Sequence, residues 1–182
     1  MKATGIVRRI DDLGRVVVPK EIRRTLRIRE GDPLEIFTDR EGEIILKKYS
    51  PIGELGQFAK QYGDALSQVT GHMVMITDRD SFVSVSGTTK KDMTGKQISK
   101  DLEDAVNERE SIISVSTDKN YIKVGIEEEG DVINEVISPI ICEGDAIGAV
   151  IILSKNAKAK FSEVEIKLAA AASNFLGRQM EQ

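Results

Sequence analysis

Seven arginines lie between Arg8 and Arg29, a span of 22 positions, in a chain whose net charge is -4. Residues 1–29 carry nine Lys/Arg and three Asp/Glu, a net charge of +6, which leaves -10 for the other 153 residues. Such a basic segment is either a solvated surface or a binding site for a polyanion, and composition alone leaves both interpretations open. The uneven charge favours a basic module joined to an acidic module with another task.

The basic segment begins a pattern of strand, strand, short helix, strand, strand within 50 residues. The β-prone runs GIVRRI and RVVVP flank the turn composition DDLG and predict a hairpin. Pro19 ends the second run because it has no N–H for a strand ladder, and it suits the start of a short helix over PKEIRRTLRI. Gly31 is the expected C-cap of that helix. LEIFT and EIILKK, separated by DREG, predict a second hairpin.

A unit of this size rarely buries enough apolar surface to be stable alone. Ile22 and Leu26 lie four residues apart and predict an apolar side of the helix. The basic residues of the helix are expected on the other side: Lys20, Arg23, Arg24 and Arg27. Because the apolar residues outnumber what one small sheet covers, the sequence predicts an obligate dimer in which two copies complete one core.

The run DDLGRVVVPKEIRRTL, from Asp11 to Leu26, closely resembles the signature of the AbrB-type swapped-hairpin DNA-binding domain. In that family two chains intertwine their hairpins into one dimeric β-barrel, and arginines of the first hairpin and the helix hold DNA. The resemblance therefore implies double-stranded DNA as the partner. Carried over by position, the DNA-binding residues are Arg8, Arg15, Arg23 and Arg24, with Arg9 and Lys2 as further candidates.

The short helix has no run of Asn, Gln or Ser among its arginines to read base edges. We therefore expect contacts to the phosphate backbone, and recognition of DNA shape or flexibility, to dominate over a base code. Two copies of the basic segment double its charge to about +12, which is enough to neutralise several phosphates.

The stretch KKYSPIGELGQF predicts a boundary between domains at 1–50 and 56–182, with a linker at 51–55. Ser50 is placed to cap a helix that begins at Pro51. Apolar residues from Ile52 to Val69 then recur at alternating intervals of three and four. This spacing leaves two interpretations open, a short coiled-coil seam against partner helices or an amphipathic helix on the sheet of its own domain.

The remaining sequence alternates further strands and helices. HMVMITDRDSFVSVSG predicts two strands, ISKDLEDAVNER a helix, and VINEVISPII with AIGAVIILS a hairpin around CEGD. A long final helix follows, with Ser162 and Glu165 as a capping box. One side of this helix is predicted to be lined by Phe161, Val164, Leu168, Ala171 or Ala172, Phe175 and Gln179.

This order of elements resembles a GAF or PAS-like sensor domain, and PIICEGDAIGAVIILSK resembles the end of GAF domains. The expected fold class is α+β, a swapped-hairpin dimeric barrel followed by a GAF-like antiparallel sheet flanked by helices. The two domains in this order resemble a family of sporulation transcription regulators. The resemblance implies an activator and repressor of late genes in the forespore cytoplasm, associated with the nucleoid. Its GAF-like domains and flanking helices would join two N-terminal dimers into a tetramer.

No enzyme, catalytic residue, cofactor or metal site is predicted. His72 is the only histidine and Cys142 the only cysteine, so no ligand cluster can be assembled from them. The GAF-like fold leaves open an unidentified small ligand around residues 85–89 and Ile126, or a domain that serves only association. An antitoxin-like interaction protein is the alternative class, disfavoured because about 130 ordered-looking residues follow the basic unit, where a disordered tail is usual.

Overall fold

The computed structural model of the protein describes residues 5–87, 93–125 and 132–181. The chain divides between Tyr49 and Ser50 into two compact units. None of the helices within the described ranges is long and apolar enough to cross a membrane.

The first unit contains one short helix and one complete hairpin. Helix α1 spans Lys20–Thr25 and begins after Pro19, whose carbonyl accepts the N–H of Arg23 at 3.0 Å. Strand β1 (Leu34–Thr38) pairs antiparallel with β2 (Ile44–Lys48). The predicted helix and second hairpin are confirmed, but Gly31 as the helix C-cap was wrong. Leu26 caps α1 with its own N–H, and Gly31 lies in a later turn at φ +84°.

The first predicted hairpin is formed only at its turn. The N–H of Asp11 donates to the carbonyl of Arg15 at 3.0 Å, and that of Gly14 donates to the carbonyl of Asp11 at 3.1 Å. Residues 5–10 and 15–18, however, form no strand within the chain, so the prediction of two strands was wrong for a single copy. An isolated two-stranded ribbon is marginal in water, so the first hairpin pairs only at its turn, although β1 and β2 do form such a ribbon.

The second unit is built on a five-stranded antiparallel sheet with the strand order β4-β3-β7-β6-β5. Strands β3 (Met73–Thr77) and β4 (Phe82–Ser86) form the predicted pair. The predicted hairpin is β6 (Asn134–Cys142) with β7 (Asp145–Ser154), joined by Glu143 and Gly144, both at positive φ as a tight two-residue turn requires. The sequence did not predict the edge strand β5, Ile112–Val115.

Helices cover both faces of this sheet. A helical turn α2 (Pro51–Glu54) leads into α3 (Gly56–Thr70), and the final helix α5 spans Glu163–Gln179. Helix α4 (Lys100–Glu108) contributes Leu102 and Val106 to a separate apolar cluster on the other face. Residues of β7 alternate between the two clusters, Ile151 with α4 and Ile152 with α3 and α5. A strand buried on both sides explains the unbroken apolar run in AIGAVIILS.

The two N-caps predicted from sequence are formed. Ser50 accepts the N–H of Gly53 at 3.0 Å, and Pro51 is the first residue of α2. Ser162 and Glu165 make the reciprocal capping box of α5, with the N–H of Ser162 donating to the Glu165 carboxylate at 2.7 Å. The segment 51–55, predicted as a linker, contains α2, and Ile52 is fully buried in the second unit.

Helix α3 is an amphipathic helix on the sheet of its own unit, the second of the two interpretations left open by its sequence. It packs on that sheet through Ala59, Gly63 and Leu66. Helix α5 packs on the sheet through a set of residues that shares only Ala172 with the side predicted from sequence. Its buried positions are Ala169, Ala172, Ser173, Leu176 and Gly177. Among the predicted residues, Val164 is 60% exposed and Phe175 is 38% exposed. Both sides of α5 carry apolar residues, and spacing alone does not say which side meets the sheet.

Candidate nucleic-acid interface

The structure sorts the arginines of the basic segment into two groups. Five predicted DNA-binding arginines are exposed: Arg8, Arg9, Arg15, Arg23 and Arg24. Arg27 and Arg29 are half-buried. Lys2, the sixth predicted residue, lies outside the described residues. The exposed group therefore coincides with the arginines that the sequence assigns to DNA.

Arg23 and Arg24 occupy the last turn of α1, where a cation is favoured by the partial negative charge of the helix end. This helix has only six residues, so its orientation depends on the chain that follows it. Arg27 adopts a left-handed backbone conformation, φ +51°, and its carbonyl accepts a hydrogen bond from Lys48 Nζ at 2.9 Å. Lys48 also lies 3.3 Å from the buried carboxylate of Asp32, which ties strand β2 to the loop after α1.

Arg15 ends the turn of the first hairpin and is held there by Asp11. The Asp11 Oδ1 atom accepts the N–H groups of Leu13 at 3.0 Å and Arg15 at 2.7 Å. Its Oδ2 atom accepts Arg15 Nε at 2.7 Å, while the Arg15 side chain stays 70% exposed. These hydrogen bonds, first that of the Arg15 N–H and then that of its side chain, hold the pKa of Asp11 below its ordinary value. From sequence Asp11 is predicted only to be a turn residue, although its i,i+4 spacing to Arg15 is a visible signal.

The first unit also exposes most of its apolar side chains. Every residue of the two buried apolar clusters lies at position 52 or beyond, so the described part of the first unit has no such core within one chain. Ile22 is half-buried and Leu26 exposed, so the expected apolar side of α1 is not covered. The exposed large apolar residues of this unit are Ile6, Val7, Ile10, Leu13, Val16, Val17, Leu26, Ile36, Phe37, Ile44 and Leu46.

The structure gives the surroundings of three residues that were considered for catalysis or ligand binding, His72, Cys142 and Val85. His72 precedes β3, and its ring lies 4.9 Å from that of Phe161. Cys142 ends β6, and burial, followed by the charges of Glu143, Glu181 and Asp145, raises the pKa of its thiol. Val85 is buried in the apolar cluster beneath α4. Thr88, Thr89 and Ile126, from the candidate ligand region, lie outside the described residues.

Glu135 is a buried carboxyl group that the sequence analysis did not single out, although it interrupts the apolar run VINEVISPII. Glu135 is fully buried in β6, between the neighbouring strands β5 and β7. Oε1 accepts hydrogen bonds from Ser114 Oγ at 2.5 Å and from the N–H of Ile122 at 2.7 Å. Oε2 has no hydrogen-bond partner among the described residues. Burial raises the pKa of Glu135, and the two hydrogen bonds oppose that rise.

A Glu135→Gln variant should lose part of the pH dependence of stability. In the folded state the pKa is raised, so the unfolded chain releases this proton first as pH increases. The wild type is therefore expected to lose free energy of unfolding relative to Glu135→Gln as pH rises above the ordinary value of 4.5 and through the raised pKa. Urea denaturation of both proteins at several pH values measures this difference. A difference that stays constant between about pH 4 and pH 8 contradicts the prediction.

Comparison with known proteins divides the chain at residue 54, a few residues after the boundary between the two structural units. The family profile "Antidote-toxin recognition MazE, bacterial antitoxin" matches residues 7–54. The profile "Stage V sporulation protein T C-terminal, transcription factor" matches residues 54–181. The transition state regulatory protein AbrB of Bacillus subtilis is 67% identical over 51 residues, which cover 28% of this chain and 52% of AbrB.

The second unit shares its fold with a photoreceptor domain. The crystal structure of the blue-light absorbing form of the PixJ GAF domain of Thermosynechococcus elongatus superposes with a TM-score of 0.51. The match covers 72% of this chain and 90% of that domain at 16% identity, a level that establishes the fold alone. The GAF-like architecture expected from the order of elements is therefore confirmed.

An AbrB-type unit with exposed arginines, followed by a GAF-like unit, defines a DNA-binding transcription regulator. Stage V sporulation protein T of Bacillus subtilis is 58% identical over 182 residues, covering the whole of both chains. The chain belongs to the stage V sporulation protein T family.

Proposed function

We propose that two copies of the first unit interlock into one basic barrel that grips duplex DNA through Arg8, Arg15, Arg23 and Arg24, assisted by Arg9 and Lys2. The observation that carries this proposal is a unit in which the five arginines assigned to DNA and most of the large apolar side chains are both exposed in a single chain. Arginine suits the role because its planar fork contacts a phosphate through two N–H groups.

The apolar residues of the first unit support the interlocked dimer. Val17 is 71% exposed and Ile36 is 67% exposed in the single chain. Full burial of one such side chain stabilises an assembly by about 1.5–3 kcal/mol. Residues 7–10 and 16–18 are β-prone but form no strand within their own chain, and the strands of a second copy give them a sheet to join. We assign residues 1–50 to this dimer, 51–55 to the connection and 56–182 to the second domain.

The outer sides of α3 and α5 support a tetramer of two such dimers. The ring of Tyr62 stacks on that of Phe175 with centroids 5.5 Å apart, and Phe58 lies 5.6 Å from the same ring. Val69 and Val164 extend the exposed apolar residues of the two helices. Pairing of these helices between second domains buries these side chains and places four DNA-binding units in one particle.

The relationship to stage V sporulation protein T supports a place for this regulator late in spore formation. We propose that it activates some forespore genes and represses others, on the nucleoid in the cytoplasm of that cell. A small ligand of the GAF-like domain is a further part of the proposal, because a ligand that prefers one arrangement of the domains shifts the population toward it. An antitoxin role is not proposed, since the second unit is folded and matches a transcription factor family.

Molar mass and DNA affinity of the full chain test this function together. We expect four chains per particle and binding of duplex DNA that weakens as salt increases. An Ile36→Asp variant should form particles of two chains and lose DNA binding by roughly a hundredfold or more, because a charge in the dimer core costs several kcal/mol.

A Val69→Asp variant is the matched control, because Val69 is an exposed apolar residue of the second unit. We expect it to form particles of two chains that still bind one DNA site. If Ile36→Asp stays tetrameric and binds DNA as the wild type does, the interlocked first unit is not the DNA-binding surface.

A further inference from the structure

The two hairpin turns of the first unit have the same geometry. In the turn from Asp39 to Glu43, Asp39 Oδ1 accepts the N–H groups two and four residues later, both at 2.9 Å. Asp11 Oδ1 does the same in the turn from Asp11 to Arg15. In both turns the N–H of the aspartate donates to the carbonyl of the fifth residue, and the fourth residue is a glycine at positive φ.

The two turns differ at their fifth residue, which is Arg15 in the first and Glu43 in the second. Arg15 Nε donates to the second oxygen of Asp11, which orients the guanidinium group relative to the turn. The two terminal nitrogens of Arg15 make no hydrogen bond to the described residues, and the side chain is largely exposed. When the guanidinium is held through Nε, its two terminal nitrogens remain able to donate together to a second anion in a bidentate contact.

Asp11 is an acid within the most basic segment of the chain, and DNA repels it. Removing a negative charge from a surface that binds a polyanion is expected to strengthen binding. An acid at this place therefore opposes the charge of the site unless it improves the geometry of a cation. The hydrogen bond to Arg15 Nε gives Asp11 that second role.

We propose that Asp11 is a positioning residue for DNA recognition, whose carboxylate holds the Arg15 guanidinium so that its two terminal nitrogens meet one DNA phosphate. This inference rests on the proposed function, because it assumes that Arg15 contacts DNA. Holding the guanidinium before binding reduces the conformational entropy lost when the complex forms. Asp39, in the equivalent turn, has no arginine at the fifth residue and no such role.

An Asp11→Asn variant separates the two parts of the interaction. The amide oxygen still accepts the two N–H groups of the turn, but the amide nitrogen is a donor and does not accept Arg15 Nε. We expect affinity for a duplex to fall roughly three- to tenfold for each Arg15 that contacts DNA, the loss expected when one long side chain is immobilised only on binding. If Asp11 acted through its charge alone, the same variant would bind more tightly.

Asp39→Asn is the matched control, with the same turn and the same change of charge. Its affinity should equal or slightly exceed that of the wild type. The decisive measurement is the effect of Asp11→Asn in an Arg15→Ala background, where the loss should vanish. A loss of the same size in that background assigns the effect to the turn and overturns the proposal, as does unchanged or tighter binding by the single variant.

The outcomes also separate this inference from the function on which it rests. If Arg15→Ala weakens binding and Asp11→Asn does not, only the positioning role fails. If Arg15→Ala leaves affinity and its salt dependence unchanged, the assignment of Arg15 to DNA fails first. Melting temperature and molar mass of each variant show whether the assembly is intact.

Discussion

Each of the single variants Arg15→Ala, Arg23→Ala and Arg24→Ala should bind duplex DNA roughly 30- to 150-fold more weakly than the wild type at fixed salt. Each substitution removes two arginines from a dimer, and a hydrogen-bonded contact to a charged group contributes about 1.5–3 kcal/mol before losses from exposure to water. We therefore expect about 2–3 kcal/mol per dimer, since 1.4 kcal/mol corresponds to a tenfold change. Arg8→Ala should behave in the same way.

The salt dependence identifies these contacts as phosphate contacts. Each phosphate neutralised contributes about 0.9 to the slope of log affinity against log salt, so one substitution should reduce that slope by about 1.8 per dimer. Fluorescence anisotropy with one labelled duplex at several salt concentrations measures both quantities. Because the contact is to the backbone, the loss should be similar for duplexes of different sequence.

Arg40→Ala is a control within the same unit, because Arg40 is exposed in the turn of the second hairpin and is not assigned to DNA. Its affinity and slope should match those of the wild type to within about twofold. Equal affinity and slope for Arg8, Arg15, Arg23 and Arg24 variants would exclude the proposed interface. A loss that appears only on one DNA sequence would instead assign a base contact to that arginine.

Gly177→Ala should destabilise the second domain by about 2–4 kcal/mol, the cost of forcing an extra methyl group into a packed contact. Helix α5 approaches β6 so closely at this position that an added Cβ would collide with the carbonyl of Ile141. Backbone does not yield as a flexible side chain does, so the helix must move away from the sheet. We expect the melting temperature to fall by roughly 5–15 °C.

Gly56→Ala is the matched control in helix α3. A Cβ there would meet Val83 Cγ1 at 3.9 Å, an ordinary contact. Alanine favours a helix over glycine by up to about 1 kcal/mol, so this variant should be as stable as the wild type or more stable. Thermal unfolding followed by circular dichroism compares the two. A melting temperature of Gly177→Ala within about 2 °C of the wild type would show that the helix adjusts without cost.

The elements predicted from sequence with the least ambiguity were those with a local physical cause. The capping box of Ser162 and Glu165 and the cap of Ser50 on α2 depend only on residues a few positions apart. The two-residue turn at Glu143 and Gly144 is of the same kind. Such interactions are contained in a short segment, so the residues present in that segment are sufficient to predict them.

Apart from the C-cap of α1, predictions failed where the partner of a segment was not defined by its own residues. Helix α5 carries apolar residues on two sides, and the sheet took the side with Ala169, Ala172 and Gly177 because small residues permit close approach. The residues 5–10 and 15–18 are β-prone but lack a ladder within one chain. The side of α5 depends on a sheet that is distant in sequence, and for residues 5–10 and 15–18 we propose that the missing surface belongs to another copy.

The candidate site divides in the same way. The sequence alone predicts three features of the site: the clustering of arginines, the AbrB-type signature and the opposite charges of the two halves. It does so because charge and local turn chemistry are properties of short segments. The exposure of Arg15 but not of Arg29 and the burial of Glu135 emerged from packing. These properties depend on which atoms meet across the fold, and a linear pattern contains no information on distances between segments that are far apart along the chain.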